Sequence, residues 1–307
     1  MRYARVWKMR NYDLDDIVRL AYKNKERLVK RAENNYKNNV EKVVNAIKSS
    51  IKDKRILFVC GPSSSGKTTT SNIITQKLEK MGIGACVVSM DNFFINRADT
   101  PKLPNGNYDY ENVTTVNLDL FKKCMDELLE KGESMLPIYD FVTGVRTDNV
   151  YKLHLKENTL IIVEGLHAFN PLCHTELMKQ KGIKLYVCPQ SGFLINDGSC
   201  LTPERLRFIR RAIRDFYHRG HKIVDTENTW KDVRAGEDMY VVPYRGEADY
   251  IIDTTYIYEP LLYENELIKI ANEDDGAKKY IKKNIPKTPL TKADISKNSL
   301  VWEFLGA

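Results

Sequence analysis

The chain has 307 residues, 42% hydrophobic and 29% charged, which suits one large α/β domain with appendages. Its net charge of +7 favours anionic ligands, but the excess lies in residues 1–50 and between Arg205 and Lys222 rather than in one basic tract. No apolar run approaches eighteen residues and no apolar stretch follows the charged N-terminus, so neither a membrane-spanning helix nor a signal peptide is expected. The six cysteines are scattered without a C-x-x-C pair, which excludes a zinc site and suits reduced thiols in a cytoplasmic protein.

Residues 1–52 read as an N-terminal helical segment and 53–307 as the main domain. Asn11, Asp13 or Asp15 can cap a helix from Asp16 to about Lys30. A second helix carries Val40, Val43, Val44 and Ile47 on one stripe to about Ser50. The segment lacks the aromatic interleaving of single-strand binders, so a nucleic-acid partner is not expected.

Arg55–Cys60 is a short apolar, β-branched run, hence a buried strand, and Thr69–Lys80 has helical spacing. Between them lies Gly61-Pro-Ser-Ser-Ser-Gly-Lys-Thr68, which fits G-x-x-x-x-G-K-[ST] in the required strand–loop–helix context. Such a loop aims backbone N–H groups and a helix N-terminus at a phosphate. Gly61, Ser63, Ser64, Ser65, Gly66, Lys67, Thr68 and Thr69 are therefore the candidate ATP-binding residues. Lys67 would reach the β/γ-phosphates and the Thr68 hydroxyl would sit on Mg²⁺.

Ala85–Met90 reads as a second buried strand, beside the loop's own strand, ending in Asp91. A carboxylate at that end of a parallel sheet lies on the ligand side, where it can take the proton of an attacking hydroxyl. Residues 95–115 form a polar, turn-rich stretch of a length usually tied to function; Asp109, between Tyr108 and Tyr110, is its candidate acceptor for a polyol. A helix over Leu118–Lys131 stops at Gly132. Pro137–Arg146 and Tyr151–Leu155 suggest a β-hairpin outside the main sheet.

Thr159–Val163 is a fully apolar strand ending in Glu164, the form of a Walker B element whose acid holds Mg²⁺ directly or through water. His167 carries no assignment. Lys184–Cys188 and Ala248–Asp253 complete a five-stranded parallel sheet flanked by helices. Between these two strands, Arg207, Arg210, Arg211 and Arg214 stand three, four and seven apart on one helical face. Nearby acids, Glu204 and Asp215, look too few to neutralise that face, so it reads as a lid (about 200–222) closing on a triphosphate. Helices are expected over Glu259–Asn272 and Gly276 to about Asn284. An amphipathic turn at Ser299–Leu305 should dock on the body.

These pieces resemble, in order, the motifs of the uridine kinase/phosphoribulokinase family of P-loop kinases. They are the loop through Thr69, Ser89-Met-Asp91-Asn-Phe-Phe94, Arg97-Ala-Asp-Thr-Pro101, Asn105–Tyr110, Leu136–Phe141, Ile162–Gly165, Arg207–Asp215 and Arg219-Gly220. Gly236-Glu237 and Asn298–Gly306 resemble the bacterial uridine kinase-like branch often fused to threonyl-tRNA-synthetase-like (TGS) modules.

The resemblance implies ATP- and Mg²⁺-dependent phosphorylation of a nucleoside 5′-hydroxyl. It implies Asp91 as base and metal neighbour, Asp109 on the ribose, Tyr139 against the base, and Arg207, Arg210, Arg211 and Arg214 clamping phosphates. Phe94, Arg97 and Arg146 complete the acceptor set. One position departs. The family's base-reading histidine after Tyr-Asp-Phe is replaced by Gly144, so Arg146 takes over or the acceptor differs. The alternatives are a kinase for a sugar phosphate or pantothenate-like alcohol, and an ATP-binding regulator or RNA-associated protein without transfer. A homo-oligomer stays open.

Overall fold

The computed structural model describes residues 10–281 and 288–306. In chain order, β1 (Arg10–Asp13) leads into α1 (Leu14–Ser50), then β2 (Ile56–Cys60), α2 (Lys67–Glu79) and β3 (Ala85–Ser89). After a stretch with short 3-10 turns come α3 (Leu118–Lys131), β4 (Glu133–Asp140), β5 (Val145–His154), β6 (Leu160–Glu164), α4 (Glu176–Lys181) and β7 (Gly182–Cys188). The remainder holds β8 (Ser191–Leu194), β9 (Cys200–Leu201), α5 (Pro203–Arg219), α6 (Ile223–Tyr240), β10 (Tyr250–Asp253) and α7 (Glu259–Ile270).

The five apolar runs form one all-parallel sheet in the order β10-β7-β2-β6-β3. Side chains alternate across it. Leu57 and Val59 of β2 join a core with α1, α2, α5 and α7, while Ile56, Phe58 and Cys60 join a second core with α3 and the β6 side chains Ile161 and Val163. The outlying hairpin is present as the antiparallel pair β4–β5, entered from a left-handed Gly132 (φ +75°) that ends α3. The cysteines are all free, and among the described residues no helix is long and apolar enough to cross a membrane.

Four expectations are corrected. The N-terminal segment is two helices, as expected, but the break falls at Asn24 (φ −164°, ψ 87°) rather than after about Lys30; the Asn24 side chain accepts from Arg27 N and caps the second helix. Its stripe of Val29, Ala32, Tyr36, Val40, Val43, Val44 and Ile47 is buried without a break, so packing carries the helix through its polar middle. Second, β3 lies at the sheet edge beside β6 rather than beside β2, and only Val88 of its five residues is fully buried. Third, the helix expected over 276–284 is a short 3-10 turn at Asp275–Lys279; residues 282–287 lie outside the described part. Fourth, β1, β8 and β9 form a small mixed sheet that no periodicity announced. The docked C-terminal turn is found: Leu300, Val301 and Phe304 are wholly buried.

Candidate active site at the P-loop

The sequence Gly61–Thr68 joins β2 to α2 through two left-handed residues, Ser64 (φ +56°) and Gly66 (φ +88°). A side chain at Gly66 would collide with Leu300, so the turn requires glycine for both conformation and space. Side chains then hold the loop from outside. Thr254 donates to Ser65 O (2.8 Å), Thr70 to Gly66 O (2.6 Å), and Tyr36 of α1 shares a hydrogen bond with Thr70 (2.8 Å). Glu237 accepts from Ser63 N at 2.9 Å.

The arginine face meets this loop, but not as a bare cationic lid. Arg207 donates to both carboxylate oxygens of Glu237 (2.6 and 2.9 Å) and to Ser63 O. Arg210 does the same with Glu259 (2.8 and 2.6 Å), and adds Thr254 and Ser64 O. Both arginines are buried with their partners. The expectation that the face lacks neutralising acids is therefore corrected. The acids come from α6 and α7, and Arg207 and Arg210 also donate to the loop carbonyls of Ser63 and Ser64. Arg211 reaches Ser63 Oγ (2.8 Å), while Arg214 and Arg219 bond Asp215.

At the C-terminal edge of the sheet the predicted reaction groups converge. Thr68 Oγ1 and Ser89 Oγ both donate to Glu164 Oε1 at 3.3 Å. Asp91 sits in the 3-10 turn Met90–Phe93 directly after β3, with its N–H on the Ser89 hydroxyl. Burial pushes the Asp91 carboxyl up, opposed by Lys67 and Arg219. Burial, reinforced by the Asp91 charge, pushes Glu164 up to about 7. Lys67 Nζ, within the field of both acids, rests on Pro62 O (3.2 Å). Two carboxylates beside a threonine hydroxyl form a hard oxygen donor set that fits Mg²⁺, which keeps several waters and needs few protein ligands.

Two further acids were not singled out from sequence. Glu111 packs against Gly236 of α6, where any larger residue would collide with it. Burial and then the Glu237 charge push it up to about 7, with Arg211 and Lys67 opposing. Glu303 accepts from Thr69 Oγ1 (2.6 Å) and Thr69 N (3.3 Å). Local patterning gives neither away. The only signals nearby were the resemblance of Gly236-Glu237 and of Asn298–Gly306, which contains Glu303 but did not mark it.

On the acceptor side, Phe94, Tyr139 and Phe141 pack edge to face, with centroids 5.1–6.4 Å apart. Asp109 is anchored through Asn112 Nδ2 (3.1 Å), and its charge reaches Tyr240. Arg146 is engaged with Asp148 (2.7 Å) and Phe94 O (3.1 Å). Arg97 occupies the space beside Gly144 (φ +74°), where an added Cβ would lie 2.7 Å from Arg97 Cβ, and it donates to Phe141 O and Val142 O. His167 is buried against Tyr240, with its ring held neutral, its pKa pushed down to about 4 by burial.

The profile of the Phosphoribulokinase / Uridine kinase family matches residues 56–257, from β2 to just past β10. The chain belongs to that family. Among its relatives, the uridine kinase of Borrelia duttonii is 29% identical over 207 residues, covering 64% of this chain and 85% of the relative. The uridine kinase of Bacillus pumilus is 29% identical over 198 residues, with the same coverage. A solved structure described as a possible uridine kinase from Bacillus stearothermophilus is 21% identical, covers 71% of this chain and 98% of its own, and has a TM-score of 0.45. Family membership and the five-stranded parallel sheet around the P-loop make the architecture that of a P-loop kinase, and the chain is a phosphotransferase acting on a hydroxyl group.

Proposed function

We propose that the protein transfers the γ-phosphoryl group of ATP to a hydroxyl of a small molecule, the 5′-hydroxyl of a nucleoside being the leading acceptor. The observation that carries this reading is the convergence of Lys67, Thr68, Glu164 and Asp91 at one edge of the sheet. Lys67 would neutralise the β/γ-phosphates. Thr68, Glu164 and Asp91 would hold Mg²⁺, which when bound offsets charge on the phosphates. The Asp91 carboxylate would accept the acceptor's proton; a carboxyl raised by burial is the better base. Asp109 would take ribose hydroxyls, and Phe94 and Tyr139 would pack against the base.

Arg211, with donors turned to Ser63 Oγ, and Arg219, within the field of Asp91, would meet the transferring group; Arg214 would reach it by leaving Asp215. Arg207 and Arg210 act one step back, by shaping the loop.

A second reading is favoured by Gly144. With Arg97 packed over the position of the family's base-reading histidine, a non-nucleoside alcohol such as a sugar phosphate or pantothenate becomes the rival acceptor. ADP release from Mg·ATP across nucleosides, sugar phosphates and pantothenate tests both. Turnover with a nucleoside alone supports the first reading, and turnover confined to a non-nucleoside alcohol overturns it for the second. ATP binding without turnover on any of them favours a regulator.

A further inference from the structure

The docked C-terminal turn lies against the P-loop. Leu300 fills the space beside Gly66, and Phe304 sits 4.9 Å under the Arg210 guanidinium. These buried anchors aim the half-exposed Glu303 at the first turn of α2, where one of its oxygens accepts from both Thr69 N and Thr69 Oγ1. Thr69 directly follows Lys67 and Thr68, so its N–H and hydroxyl belong to the donor set that such a loop offers to nucleotide phosphates. A carboxylate on those donors is a stand-in for a phosphate oxygen. Its charge is felt deeper in the site, where it helps to raise Glu164.

We propose that Glu303 is a built-in competitor for the nucleotide: it holds the Thr69 donors when the site is free and swings away when a triphosphate seats. The idea rests on the nucleotide-binding reading above and adds a device that sets the affinity of that site. Two anions cannot share one pair of donors, so the apparent affinity falls by the fraction of molecules in which Glu303 is in place. Only the side chain has to move, because Leu300, Val301 and Phe304 keep the backbone buried. Trp302, whose indole donates to Ser296 O at 2.8 Å, is the adjacent reporter of that movement.

The test compares Mg·ATP binding by calorimetry in wild type, Glu303→Gln and Lys67→Ala. Glutamine can still accept from Thr69 but carries no charge. The expected result is binding about tenfold tighter for Glu303→Gln than for wild type. Equal or weaker binding by Glu303→Gln, with wild type binding normally, overturns the competitor and leaves the nucleotide site standing. Wild type that fails to bind, like Lys67→Ala, overturns the nucleotide reading and the competitor with it. If Glu303→Gln does not fold, the wild-type emission change on adding Mg·ATP replaces it. A change that disappears in Trp302→Phe supports displacement, and a change untouched by that substitution refutes it.

Discussion

Arg210→Met separates a bracing arginine from a mobile one. In wild type the Arg210 and Glu259 side chains are both 0% exposed. The five N–H groups of a guanidinium are all accounted for by Glu259, Thr254 and Ser64 O. Methionine fills a similar volume but leaves Glu259 charged and buried without its partner. Breaking a buried pair in this way costs about 3–5 kcal/mol. For a chain of this size each kcal/mol shifts Tm by about 1.5–2 °C, so the expected fall is roughly 5–10 °C by circular dichroism without nucleotide. Removing both charges in Arg210→Met/Glu259→Leu should restore at least half of the loss, because the uncompensated carboxylate disappears. Ser64 O and Thr254 O still lack their donor in the double variant, so recovery stays incomplete. An unchanged Tm for Arg210→Met, with ATP affinity down tenfold or more, would refute the bracing argument and restore a lid arginine.

Gly144→His should not recreate a base-reading histidine. Its φ of +74° and the Arg97 side chain 2.7 Å from the new Cβ predict a loss of about 1–3 kcal/mol, measured by denaturant unfolding, and a gain of uridine turnover without loss of stability would contradict it. His174 stacks on Phe58 and bonds Ala168 O, and burial pushes its pKa down to about 4. A histidine held neutral in the fold contributes stability that is present above about 6.5 and lost as pH falls towards about 4. Glu111 and Glu164, raised to about 7, act in the opposite sense over pH 7 to 4.5, so the net curve hides the effect. The difference between wild type and His174→Gln isolates it: the wild-type advantage should shrink by at most about 3 kcal/mol between pH 6.5 and 4. A difference independent of pH would refute this assignment.

The five parallel strands were legible because buried parallel strands read as unbroken apolar runs, and the P-loop because its chemistry fixes residue types at fixed spacing. Asp91 and Glu164 followed from being the first acids after such strands. Strand order was not legible: β3 is separated from β2 by β6, which enters the chain much later. The arginine face was misread for a related reason. Its counter-ions lie 30 and 49 residues downstream, on α6 and α7, so charge counted along one helix could not find them. Glu303 reaches Thr69 across 234 residues, a contact that only the folded C-terminal turn creates. In residues 1–50 the Asp13 cap and the apolar stripe were visible, but the kink at Asn24 and the bond from Tyr36 to Thr70 of the P-loop helix were not.

The most direct test of the account is transfer of labelled γ-phosphate from Mg·ATP to an acceptor hydroxyl by wild type and Asp91→Asn, with ATP affinity measured alongside. A phosphorylated product is expected from wild type, with loss of about 10²–10⁴ in turnover for Asp91→Asn and nearly unchanged ATP affinity. Near-normal turnover by Asp91→Asn would remove Asp91 as the base and contradict the assembly of the site described here.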